Sequence, residues 1–236
     1  MSKMEERLKI KILRNSPQTS FEPEFQTFTL SIDEDSSILD ALEMLRNQQD
    51  PSLMYRHSCH HSSCGSCGMI INGHERLACV TRISETKKRP IILEPLRGFP
   101  VIGDLVVDMS TFYKDINAEW DYIRTSEAVK YKDLPEGIKR FERFENCIEC
   151  GCCISACPAA GPGRPFMGPA ALACLNTELE KTRNNEKALL ELAGGKRGEK
   201  LCERALVCSR VCPTEVYPAR HILDLRKRLH GGEKKG

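Results

Sequence analysis

The chain has 236 residues, with 35 Lys+Arg against 33 Asp+Glu, so it is long enough for two ordinary domains. The near-balance of charge removes the electrostatic reason to expect a nucleic-acid partner. Thirteen cysteines form the outlying feature. The number is odd, and Met1-Ser2-Lys3-Met4-Glu5-Glu6-Arg7 lacks the apolar core of a secretory leader. Apolar runs such as Val101–Val107 are too short to cross a bilayer. The expectation is a reducing cytoplasmic compartment, with cysteines kept for metal rather than for disulfides.

Along the chain, Leu8–Arg14 and Phe25–Ile32 alternate or run apolar around the turn-prone Asn15-Ser16-Pro17, which predicts a hairpin. Asp35 or Ser36 is expected to cap the next helix, where Ile38, Leu39, Ala41, Leu42 and Leu45 hold helical spacing. Short strands are expected at Gly68–Ile71 and Ile91–Glu94. Two strands, a helix, a cysteine loop and closing strands suit a β-grasp fold. After about residue 105 strand signals thin out. Helices are expected at Ala118–Val129, Pro169–Glu180, Asn185–Leu192 and Pro218–Leu229, with Gly194-Gly195-Lys196-Arg197-Gly198 a solvated loop. The fold class read from this pattern is α+β. A β-grasp plant-type ferredoxin domain over 1–104 precedes an all-helical, bacterial-ferredoxin-like domain over 105–236.

The first cysteine group is Cys59-x4-Cys64-x2-Cys67, followed by Cys79, the plant-type 2Fe-2S spacing. A loop that wraps three thiolates round one cluster needs small residues where backbone amides point at sulfur. Gly65, Ser66 and Gly68 meet that need. The competing reading is a four-cysteine zinc site, but such sites usually show two C-x2-C pairs and only one is present. His60 and His61 invite a Rieske-type assignment, which four available thiolates make unnecessary. These two histidines, with His57 and His74, are read as exposed loop residues.

Cys147-x2-Cys150-x2-Cys153-x3-Cys157-Pro158 is the bacterial run, whose fourth cysteine ligates the other cluster of a pair. A second run aligned on Cys212-Pro213 has Cys202 and Cys208 at its first and third positions and Ala205 at its second. Crossed connectivity then assigns Cys147, Cys150, Cys153 and Cys212 to a 4Fe-4S cluster. Cys157, Cys202 and Cys208 remain for a 3Fe-4S cluster, because Ala205 cannot bind iron; a fourth iron held by water is the alternative. Cys152 and Cys174 are left over and read as buried, inert thiols.

This order of motifs resembles the iron–sulfur subunits of succinate dehydrogenase and fumarate reductase. The resemblance also runs through Cys64-Gly65-Ser66-Cys67-Gly68-Met69, Asn72-Gly73, Glu94-Pro95-Leu96, Phe99-Pro100-Val101, Asp104-Leu105-Val106-Val107-Asp108 and Gly168-Pro169-Ala170-Ala171. It implies a relay subunit that takes part in no acid–base chemistry. The partners it implies are a FAD-carrying flavoprotein and a membrane anchor with its quinone, which would hold the chain peripherally at the inner membrane face. Ubiquinone-reducing members carry a Ser and Trp pair after Cys-Pro and a His after the cysteine matching Cys202. Here the residues are Ala159-Ala160-Gly161-Pro162-Gly163 and Glu203, and the one tryptophan is Trp120. Cys147-Ile148-Glu149-Cys150-Gly151-Cys152-Cys153 and Phe166-Met167-Gly168-Pro169 look more like the fumarate-reductase branch, which implies menaquinone. A thiol-linked fumarate reductase or another flavin dehydrogenase would use the same relay; a zinc-stapled interaction module is the reading from a different class. The basic residues Arg220, Arg226, Lys227, Arg228, Lys234 and Lys235 are read as the solvated end of a terminal helix.

Overall fold

The computed structural model describes residues 7–15, 22–87, 89–116, 146–180 and 185–231. Two compact units divide the chain, Met1–Asp108 with Ile148–Cys152, and Met109–Cys147 with Cys153–Gly236.

The first unit is built on a mixed sheet. Strand β1 (Arg7–Arg14) buries Leu8, Ile10 and Ile12 and turns Lys9 outward, the period-two pattern of a half-buried strand. It pairs antiparallel with β2 (Glu24–Ser31) and parallel with the later strand β5 (Ile91–Glu94), so Ile10 faces Phe28 on one side and Ile91 on the other. Helix α1 (Ile38–Gln48) begins at Ser37, not at Asp35 or Ser36. The reason is a capping box: Ser37 Oγ accepts from the Asp40 amide at 3.1 Å, and the Asp40 carboxylate accepts from the Ser37 amide at 2.8 Å. The five apolar positions expected to face inward, Ile38, Leu39, Ala41, Leu42 and Leu45, are all buried.

Strand β3 (Gly68–Ile71) follows the cysteine loop and turns through Asn72-Gly73 into β4 (His74–Leu77), a strand not expected from its polar sequence. Strand β5 (Ile91–Glu94) completes the order β2-β1-β5-β3-β4. A two-stranded ribbon, β6 (Val101–Gly103) and β7 (Val106–Val107), closes the unit. Asp104 at its tip is buried and binds Arg14 Nε at 2.9 Å, while its other carboxylate oxygen accepts from the Met54 amide at 2.9 Å.

In the second unit the described residues form helices and no strand. Short helices α2 (Ser110–Tyr113) and α3 (Cys152–Ser155, its first residue in the first unit) precede α4 (Pro169–Leu179), which is buried along its whole length. Helices α5 (Glu186–Gly194) and α7 (Pro218–His230) pack against it, and α6 (Val207–Arg210) packs against α7. The helices expected at 169–180, 185–192 and 218–229 are thus present within two residues at each end. The one expected at 118–129 lies outside the described residues.

Two expectations about this unit need correction. The segment Gly194–Gly198 is not a free loop. Arg197 binds Asp115 at 2.6 Å and the Pro165 carbonyl at 3.0 Å, and a Cβ on Gly198 would meet the Ala193 carbonyl at 1.8 Å. The basic face of α7 is not simply solvated either, because the half-buried Arg226 pairs with buried Glu199 while Arg220 and Lys227 both pair with Asp224. Lys234 and Lys235 lie outside the described residues. Among those described, no helix is long and apolar enough to cross a membrane.

Candidate cofactor sites

None of the thirteen cysteines is in a disulfide. In the first unit the loop between α1 and β3 carries Cys59, Cys64 and Cys67, and the turn after β4 carries Cys79. Gly65 stands at φ +68°, and a Cβ there would meet the Ile148 carbonyl at 2.2 Å. A Cβ on Gly68 would meet the Cys150 carbonyl at 2.8 Å. Glycine is therefore required for packing against Ile148–Cys152 as well as for loop conformation.

The loop arranges its thiols in two pairs. Cys59 Sγ accepts the Ser63 and Cys64 amides, each at 3.3 Å, and Ser66 Oγ lies 3.1 Å from Cys64 Sγ. For Cys64, burial raises the thiol pKa, but hydrogen bonds from Ser66 and from Cys59 outweigh it and bring the value down to about 6. Cys67 behaves oppositely: burial and the adjacent Cys79 push it up to about 12. Two pairs of thiols, with two amides and a hydroxyl offered to sulfur, are donors that an iron–sulfur centre can use, and positive iron would remove the penalty of ionising neighbouring thiols.

In the second unit Cys157, Cys202 and Cys208 line one cavity of about 690 Å³, and Ala205 lines it with them. Arg204 at φ +57° and Leu206 at φ +60° bracket Ala205, so the chain bends sharply between Cys202 and α6. Burial raises the Cys208 thiol to about 11, and neighbouring Cys157 and Cys202 reinforce the shift. Burial also raises Cys157, opposed by the amides of Ala159 and Ala160. Three thiols lining one cavity suit a polynuclear cation, and an alanine methyl beside them supplies no fourth ligand.

Of the remaining cysteines, Cys212 Sγ accepts the Val216 amide at 3.3 Å. Cys147, Cys153 and Cys212 belong to the second unit and Cys150 to the first. Cys150 is held below its ordinary pKa chiefly by a hydrogen bond with Cys152, against the opposing effect of burial. Cys152 therefore contacts a candidate ligand directly, and Cys174 is buried within α4.

A family model described as "2Fe-2S iron-sulfur cluster binding domain" matches residues 9–114. The fumarate reductase iron-sulfur subunit of Haemophilus influenzae is 35% identical over 91% of this chain and 90% of its own length. The chain belongs to the family of fumarate reductase and succinate dehydrogenase iron–sulfur subunits. The succinate dehydrogenase iron-sulfur subunit of Coxiella burnetii is 34% identical over 92% of this chain and 95% of its own. A chain of the Mycobacterium smegmatis Sdh1 complex in the apo form superposes with a TM-score of 0.81 at 25% identity, covering 96% of this chain and 97% of that one. As a member of this family the chain is an α+β iron–sulfur protein with a 2Fe-2S domain, and its role is electron transfer within an oxidoreductase complex.

Sequence reasoning missed the groups that hold the second cavity in shape. Glu199, whose side chain is 2% exposed, accepts Arg226 Nε at 2.5 Å and lies 2.9 Å from His230 Nε2. Arg226 also donates to the Cys202 carbonyl at 3.0 Å, so α7 anchors the loop that carries that cysteine. The missed signal was Arg226 and His230 spaced four apart on α7, one helix face, beside an acidic residue just before Cys202.

Proposed function

We propose that the chain relays single electrons between a FAD-carrying flavoprotein subunit and a membrane quinone, menaquinone by the residues around Cys157, through three clusters. Cys59, Cys64, Cys67 and Cys79 hold 2Fe-2S in a β-grasp domain over residues 1–104. Cys147, Cys150, Cys153 and Cys212 hold 4Fe-4S, and Cys157, Cys202 and Cys208 hold 3Fe-4S, in a bacterial-ferredoxin-like helical domain over 105–236. The carrying observation is that Cys157, Cys202 and Cys208 share a cavity wall with Ala205, a residue that offers no ligand.

The clusters supply one-electron redox centres. The protein's part is to hold the thiolates and adjust the charge on sulfur. Amides of Ser63, Cys64 and Val216 donate to Cys59 and Cys212, and the amides of Ala159 and Ala160 do the same for Cys157. Each such donor stabilises the more negative, reduced state and raises the potential. Attachment to the inner membrane face would come through an anchor subunit.

The test is anaerobic purification of the complex, iron and sulfide analysis, EPR of the oxidised and reduced forms, and assay of fumarate reduction with menaquinol analogues. Nine irons per chain and an oxidised 3Fe signal are the expected result, from cluster nuclearities of about two, four and three. A colourless zinc protein would overturn the proposal.

A further inference from the structure

Three side chains that the relay does not use converge beside the first cysteine loop. His57 Nδ1 lies 3.1 Å from His60 Nε2 and 3.5 Å from Glu43 Oε1, and His60 Nε2 lies 3.4 Å from the same carboxylate oxygen. The sequence treats these histidines as separate exposed loop residues; the fold brings them onto one carboxylate.

The dimensions of this triangle are informative. A tetrahedral ion with bonds of about 2.0–2.1 Å to nitrogen and oxygen has ligand-to-ligand edges of about 3.3–3.4 Å. The three observed edges, 3.1, 3.4 and 3.5 Å, average within that range. An octahedral ion with the same bonds would need edges near 3.0 Å, roughly √2 times the bond length. The atoms therefore outline one face of a tetrahedron, with the fourth vertex left for water or another ligand. Two imidazoles and a carboxylate are also the donor chemistry that zinc and its first-row neighbours accept.

The positions are held from two sides. Glu43 stands on α1, whose start is fixed by the Ser37–Asp40 capping box. The His57 ring packs 5.4 Å from the ring of buried Tyr55, and Arg46 covers Tyr55 at 4.6 Å. His60 takes φ +61°, an uncommon conformation for histidine, which turns its ring back toward His57. All three side chains are partly exposed, at 32%, 29% and 41% for Glu43, His57 and His60, so an ion can enter from solvent. Hydrogen bonding alone would have to share protons among three acceptor-capable atoms crowded within 3.5 Å.

We propose that Glu43, His57 and His60 form a binding site for a divalent first-row transition ion, separate from the cysteine sites. Bound there, the ion would clamp α1 to the loop one residue from Cys59.

The experiment uses the full chain carrying its clusters, equilibrated anaerobically with micromolar zinc against a competing chelator. Zinc per chain is measured by elemental analysis, alongside iron, sulfide and the EPR signal of the reduced 2Fe-2S cluster. The expected result is one zinc per chain in the wild type, with affinity lowered more than about 100-fold in Glu43→Gln and His60→Asn, beyond what outer-shell losses cost. Asn is chosen because it tolerates positive φ. X-ray absorption at the zinc edge of the wild type provides a readout that no variant's folding can confuse; a shell of nitrogen and oxygen with imidazole scattering is expected. A wild type that takes up no zinc, variants that retain it unchanged, or sulfur in the shell would each overturn the proposal.

Discussion

Replacing Glu199 by Gln tests whether the terminal helix holds the second cavity together. The wild-type carboxylate is 2% exposed and Arg226 is 15% exposed, so their 2.5 Å pair is largely out of water. Removing one partner of a buried pair costs about 3–5 kcal/mol, because the other charge is left uncompensated. Gln returns part of that, since its carbonyl oxygen can still accept from Arg226, and Arg226 keeps its bonds to the Glu199 and Cys202 carbonyls at 2.8 and 3.0 Å. The His230 contact adds little, as that ring is about half exposed. A net loss of about 2–3 kcal/mol follows, which for a chain of this length lowers Tm by roughly 4–12 °C.

The pH dependence carries a sign that distinguishes this pair from generic packing. Burial raises the Glu199 pKa, but His230 and Arg226 outweigh it and hold the group below its ordinary 4.5. A depressed carboxylate contributes stability that is fully present above pH 4.5 and is lost as pH falls through the folded value. The difference between wild type and Glu199→Gln should therefore be full at neutral pH and shrink below that point. Circular dichroism melts at fixed scan rate, run on cluster-loaded protein across pH, measure it. A Tm difference under 1 °C at neutral pH, or one that grows on acidification, would refute the reasoning, with rate effects controlled by the common scan rate.

Three further outcomes are expected. Ala205→Cys adds a thiolate beside the proposed 3Fe-4S ligands and should convert that cluster to 4Fe, removing the oxidised 3Fe EPR signal and adding one iron per chain; an unchanged signal would show that Ala205 is misaligned. Ser66→Ala removes the hydroxyl 3.1 Å from Cys64 Sγ and should lower the 2Fe-2S potential by about 40 mV, the one-electron equivalent of ~1 kcal/mol of differential hydrogen bonding, as read by redox titration. Gly65→Ala forces a side chain at φ +68° toward the Ile148 carbonyl 2.2 Å away, so the 2Fe-2S content should fall by more than half, measured against total iron and by EPR.

Much of the site was legible because thiolate spacing is a local geometric requirement. The loop of Cys59, Cys64 and Cys67 has to turn within a few residues, and Gly65 and Gly68 mark where it does. The absence at Ala205 was equally readable, since aligning two Cys-Pro runs exposes it without any structure. Capping was less readable: Asp35, Ser36 and Ser37 all have suitable side chains, and only the reciprocal partner at Asp40 chooses Ser37. Strand β4 escaped notice because His74-Glu75-Arg76-Leu77 is polar by composition, yet Glu75 and Leu77 are buried once β3 pairs with it.

The sequence by itself determined the number of thiols and their spacing, and it set Ala205 at the second position of the run aligned on Cys212-Pro213, because covalent spacing limits which sulfurs one loop can bring together. It also determined the apolar periodicity that builds α1 and β1. Tertiary structure decided what surrounds those sulfurs. Arg226 reaches the carbonyl of Cys202 across 24 residues, and Glu43 meets His57 and His60 across the gap between a helix and a loop. Such contacts depend on the path of the chain through space, and residue spacing along it carries no record of that path.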